Sequence, residues 1–220
     1  MEFYIKGIRY LSLLILLGFI PSYLIAFDRL SAAHHVHAII SFTWLLALNI
    51  QPSLLSGRPK VSHRTLGQLS ILIALMLFVS FCILFAQTLT FALSSGLVYQ
   101  LAYFLDLYLA PTFLALVSLA YLKRFDRTCH YRNIFLSLVV IFPPGLGRLI
   151  YGIFLMPLDI PMRYFYEPMV LITMALLGYV GHKEDWNHWP TTIVLISFIA
   201  SVLAGYLAVY SGLLVKLVNT

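Results

Sequence analysis

The sequence predicts an all-helical, polytopic membrane protein, with about seven transmembrane helices forming a single domain over residues 1–220. Three observations predict it. Of 220 residues, 61% are apolar and only 10% are charged, against about 25% charge in an ordinary soluble domain. Mean hydropathy is +0.94. Seven stretches are apolar over the length that crosses a bilayer, about 20 residues. Basic residues are unevenly shared between the intervening loops. This composition excludes a soluble enzyme, a disordered chain and a nucleic-acid-binding domain. The net charge of +6 reads instead as orientation in a membrane.

The first span, 7–27, follows Lys6 and Arg9, as a signal peptide would. Its apolar run is longer than a signal core and closes on Phe27-Asp28-Arg29 without a small-x-small cleavage site, so it reads as a retained helix. The spans that follow are 34–55, 67–89, 97–122, 133–156, 164–181 and 191–217, the sixth being the shortest. Seven spans place the termini on opposite sides. One side then carries Lys6, Arg9, Arg58, Lys60, Arg64, Lys123, Arg124, Arg127, Arg132 and Lys183, ten basic residues. The other carries Arg29, Arg163 and Lys216, and Arg148 falls inside a span. The bias predicts a cytoplasmic N-terminus and an external C-terminus. Cys82 lies inside the third span and Cys129 in a cytoplasmic loop, depths that do not suit a disulfide.

Polar residues inside so apolar a chain are where chemistry is sought. His34, His37, Ser41, Trp44, Leu48 and Gln51 alternate three and four residues apart, which places them on one helical face. That stripe lines a polar cavity or bonds neighbouring helices. His34 and His37, one turn apart, could share a metal ion. Asp106 in span four and Arg148 in span five are charges at membrane depth, where they face a cavity or a partner. They are a natural pair, with Glu167 a second partner for Arg148. Pro143, Pro144, Gly145 and Gly147 precede Arg148 and predict either a broken helix or a proline kink. Ser197, Ser201 and Gly205 form a small-residue packing face, and Trp186, His188 and Trp189 an interfacial anchor.

The sequence holds no His-Glu-x-x-His zinc site, no Gly-x-Ser-x-Gly elbow and no transmembrane lysine for a retinal Schiff base. A b-type haem needs two histidines at equal depth on facing helices. His63 and His130, each at a helix start beside arginine, are the pair that could supply them. They also form an internal echo: His63-Arg64 opens span three, and His130-Tyr131-Arg132 opens span five.

The run His37-x6-Trp44-x6-Gln51 followed by His63-Arg64-Thr65-Leu66-Gly67 resembles a pattern of uncharacterised bacterial multi-pass membrane proteins. Those proteins also carry a second loop with His-Lys-Arg, then proline and arginine in the next helix. Here Tyr131 stands between the histidine and the arginine, ahead of Pro143, Pro144 and Arg148. The resemblance covers roughly residues 34–148 and implies a bacterial inner membrane but no defined activity.

Three functions are expected from these residues. The first is binding or transport of a small solute or ion between spans two, four and five. There Arg148 binds charge, Asp106 relays protons, and His37, Trp44, Gln51 and Glu167 line the site. The second is a redox module holding haem b, a quinone or a metal ion through His37, His63 and His130. The third is an enzyme acting on a lipid, with Asp106 as acid–base. The expected partners are the lipid bilayer and a small substrate. Oligomeric state is open.

Overall fold

The computed structural model describes residues 2–55, 60–94, 96–161 and 164–212. Arg58, Arg163 and Lys216 lie outside the described residues, as does the end of the seventh predicted span.

The described residues form seven α-helices and contain no strand. They are α1 (Glu2–Phe19), α2 (Ala32–Ile50), α3 (Lys60–Ser94), α4 (Leu97–Leu122), α5 (Arg127–Ile150), α6 (Tyr166–Lys183) and α7 (Trp189–Tyr210). Each predicted span has its helix. Six stretches are long and apolar enough to cross a membrane: Glu2–Leu24, Ala32–Ile50, His63–Ala92, Leu97–Leu122, Arg127–Leu158 and Trp189–Tyr210. The helix of the sixth predicted span, α6, is not among them. Its ends carry Glu167 and Pro168 on one side and His182 and Lys183 on the other, which dilutes its apolar centre.

Local chemistry sets several boundaries. Asp126 caps α5, its Oδ1 accepting from the backbone N–H of Thr128 at 3.0 Å and of Cys129 at 3.1 Å. A π-helical turn over Ile20–Leu24 extends α1, and another over Tyr151–Leu155 extends α5. The α6–α7 turn places Asp185 and Trp186 at φ 49° and 55°. It is held by the Trp186 N–H donating to the Gly181 carbonyl at 2.9 Å. The Trp186 ring fills the space a Cβ on Gly181 would need, so this residue is a packing element as well as part of an anchor.

Helix α5 is the hub. It packs on α1, α4 and α6, and Leu136, Leu138, Val139 and Val140 are fully buried along it. Of the two readings at Pro143-Pro144, the broken helix is absent: α5 runs as a helix through both prolines to Ile150. The glycines there serve a close crossing instead. A Cβ on Gly18 would run into the Gly145 carbonyl, and a Cβ on Gly145 would lie 3.2 Å from the Ile15 Cα. On the far side, α7 meets α4 through its small residues. Tyr108 Oη contacts Ser197 Oγ at 2.8 Å, and Phe104 covers Gly205. Cys82 and Cys129 are both free.

Outward faces remain apolar. Ile39, Phe42, Leu72, Val79, Leu171 and Leu203 are all exposed, a surface suited to lipid.

Candidate functional site

His34, His37, Ser41, Trp44 and Leu48 lie on α2, and Gln51 opens the short 3-10 turn after it. Ser41, Trp44, Leu48 and Gln51 are buried against the bundle, and with His34 and His37 they line two successive cavities. The first has a volume of about 380 Å³, the second about 580 Å³. Trp44 borders both. It is 1% exposed and sits edge-on to Phe113, ring centroids 4.9 Å apart. An indole at this point makes a natural partition.

Cavity one lies between α1, α2, α3, α4 and α5 and is walled largely by aromatic and aliphatic side chains such as Phe19, Phe78, Phe81 and Phe113. Its polar groups are few. Ser80 Oγ donates to the Leu77 carbonyl at 2.8 Å, so it accepts from His37 Nδ1–H at 3.0 Å. The free lone pair of His37 is therefore on Nε2. His34 Nδ1 meets Ser31 Oγ at 2.8 Å, and His35 Nδ1 meets Tyr23 Oη at 3.0 Å. Tyr103 Oη donates to the Phe85 carbonyl at 2.9 Å.

Asp106 and Arg148 both line cavity one. Together with Tyr99, Pro144 and Phe165 they also line a third cavity of about 360 Å³ on the α5–α6 side. Tertiary folding thus brings α4 and α5 charges to one wall, as their similar depth suggested. It does not join them in an ion pair. Among the described residues the ion pairs are Lys6–Glu2 and Arg132–Glu184. The Arg148 guanidinium lies 5.5 Å from the centre of the Phe19 ring. Glu167 is placed elsewhere. It is exposed, accepts from Tyr206 Oη at 3.4 Å, and borders a separate cavity with Gly96 and Pro168.

Among the described residues no group of three or more His, Cys, Asp or Glu stands close enough to hold a metal ion. His34 and His37 both line cavity one, but no third such residue stands close enough to them to complete a metal site. His63 and His130 share cavity two with Gln51.

A buried polar cluster at the basic end of the bundle was not anticipated. Glu184, whose side chain is 0% exposed, accepts from Tyr4 Oη at 2.8 Å and from Thr191 Oγ1 at 2.6 Å. Arg132 Nε donates to Tyr4 Oη at 2.9 Å and stands 3.4 Å from Glu184 Oε1. The cluster ties α1, α5, the end of α6 and the start of α7. Burial holds the neighbouring His188 below the usual histidine pKa, with the Glu184 carboxylate opposing that effect. Glu184 directly follows a helix and lies outside every span, so its sequence position reads as a solvated loop acid.

No family model, curated protein or solved structure matches this chain.

Proposed function

We propose that the protein binds a small anionic solute in cavity one and passes it across the membrane. One observation carries this reading: Arg148 faces a largely apolar cavity with no carboxylate at ion-pair distance among the described residues. A guanidinium so placed is a donor set awaiting an anion. Asp106 on the same wall and the His37 Nε2 lone pair are proton acceptors beside that position. They suit a solute that travels with a proton. The aromatic walls suit a solute with an apolar body, such as a monocarboxylate.

The proposal places the chain in a bacterial inner membrane with seven spans, a cytoplasmic N-terminus and an external C-terminus. Two features support the seventh crossing. Tyr4, Arg132, Glu184 and Thr191 converge, so the starts of α1, α5 and α7 and the end of α6 lie at one end. His63 and His130 add the start of α3 to that end. An α6 that leaves it must traverse the bundle. Its buried face, including Met169, Thr173 and Leu177, lets protein contacts offset its low apolar length.

Fusions report the topology. Alkaline phosphatase joined after Thr220 is expected to be active, and green fluorescent protein there dark. The reverse result gives an even number of crossings. For the site, purified protein in proteoliposomes is expected to take up acetate or a larger monocarboxylate when an inward proton gradient is imposed, with saturation. Uptake equal to that of empty vesicles across a panel of chloride, nitrate, phosphate and monocarboxylates would sink the proposal.

A further inference from the structure

We propose that cavity two is a haem site, in which His63 and His130 are the two axial ligands of a b-type haem. The two histidines hold the same place in their helices. His63 is the fourth residue of α3 and His130 the fourth of α5. Both helices start at the basic end, so the two rings enter one cavity at matching levels. Helix α3 packs on α2 and α4, and α5 packs on α1, α4 and α6, which leaves the space between α3 and α5 open.

Their tautomers match as well. His130 Nδ1 lies 2.8 Å from the Ala120 carbonyl and His63 Nδ1 lies 3.3 Å from the Gln51 carbonyl. A carbonyl only accepts, so each Nδ1 carries the proton and each Nε2 carries the lone pair. No hydrogen bond among the described residues engages either Nε2. An imidazole oriented through Nδ1–H by a backbone carbonyl, with Nε2 free, is the arrangement of a metal-ligating histidine.

The number of ligands favours haem iron over a protein-held ion. A protein-held zinc or copper ion requires three or four protein ligands, and no group of three candidate ligands occurs among the described residues. A porphyrin brings four nitrogens of its own, so its iron asks the protein for two. The cavity suits the remainder of the molecule. Its volume of about 580 Å³ is that of a cofactor pocket. Trp44, Leu48, Val117 and Ile134 offer apolar walls. Arg64, Arg124 and Arg127 line the same cavity and are exposed, as partners for two propionates require. A free phosphate or a lipid phosphate would also meet those arginines, but it gains nothing from two imidazole lone pairs. The repeated histidine–arginine helix start in the sequence thereby acquires a reason: each copy supplies one axial ligand.

The test uses the full chain, expressed with a haem precursor, purified in detergent and then titrated with hemin. The expected result is a Soret band with sharp α and β bands on reduction, about one haem per chain, and a low-spin spectrum indifferent to carbon monoxide because both axial positions are filled. His63→Gly and His130→Gly are each expected to lose the low-spin signature, and added imidazole to restore it. Where a glycine variant elutes as aggregate, His63→Met or His130→Met replaces it and is expected to give an altered low-spin spectrum. A protein that stays colourless after hemin titration would overturn the proposal. So would low-spin haem that persists unchanged in both sets of variants. A colourless protein that instead retains inorganic phosphate, and loses it on Arg64→Ala, would assign the cavity to an anion.

Discussion

Arg148→Ala is expected to abolish solute uptake while the protein still accumulates and elutes as the wild type does. Arg148 is the strongest donor on the wall of cavity one, and it faces a largely apolar space. Arg148 is itself exposed to that space, so truncating its charge-assisted contact with the solute costs about 1.5–3 kcal/mol of binding, roughly a 10- to 150-fold loss of affinity. Stability should move far less, because no ion pair among the described residues is broken by the change. Arg148→Lys keeps the charge but loses the planar fork, so partial uptake is expected. Asp106→Asn separates the roles further. It should spare equilibrium binding and remove the dependence of uptake on the proton gradient. Loss of accumulation in Arg148→Ala, with recovery in Arg148→Ala combined with Asp106→Asn, would make the two charges a structural pair. Proteoliposome uptake and detergent gel filtration on the same preparations decide it.

Arg132→Ala is expected to destabilise the whole bundle by about 3–5 kcal/mol. The reason lies with its partner. Glu184 is completely buried and receives two hydroxyl hydrogen bonds, from Tyr4 and Thr191. Arg132 supplies the compensating charge and also fixes the Tyr4 hydroxyl. Without it a buried carboxylate is left uncompensated, which costs far more than loss of a surface ion pair. Arg132 itself is 27% exposed in its side chain. Glu184→Gln should therefore be milder, because the guanidinium keeps access to water and the amide still accepts from Tyr4. Thermal unfolding in detergent measures both. The ordering with Arg132→Ala well below Glu184→Gln is the expected outcome. Equal midpoints for the two variants would mean that the cluster acts through hydrogen bonds alone.

The two clusters illustrate unequal legibility in the sequence. Asp106 and Arg148 stood out because a charge inside an apolar run has no ordinary solvent. The 3-4 spacing on α2 predicted one shared helical face, and its residues border both cavities. Helix α4 spans Leu97–Leu122, as predicted, flanked by Gly96 and Lys123. By contrast, Glu184 follows Lys183 and precedes Asp185, a setting that reads as solvated loop. Only the approach of Tyr4, 180 positions away, makes it a buried group. Glu167 misled in the opposite sense. Its level near the start of α6 suited a pairing with Arg148, but its orientation turns it toward Tyr206.

The prolines of α5 mark the same limit. Pro143 and Pro144 remove two backbone donors, and from sequence alone a break or a continuous helix is equally consistent with that loss. In the folded bundle the segment is a continuous helix, with Gly18 and Ile15 of α1 close against Gly145. Sequence by itself determined what depends on solvent: the helical class, the positions of the apolar helices, and the residues whose polarity conflicts with lipid. Those follow from transfer of side chains and backbone between water and hydrocarbon, a property of each segment alone. Tertiary structure decided what depends on distance between segments. It set Asp106 and Arg148 on one wall without pairing them, brought His63 and His130 into one cavity, and sealed Glu184 inside the bundle. Partners so far apart in the chain meet only through packing, and packing is written in no single helix.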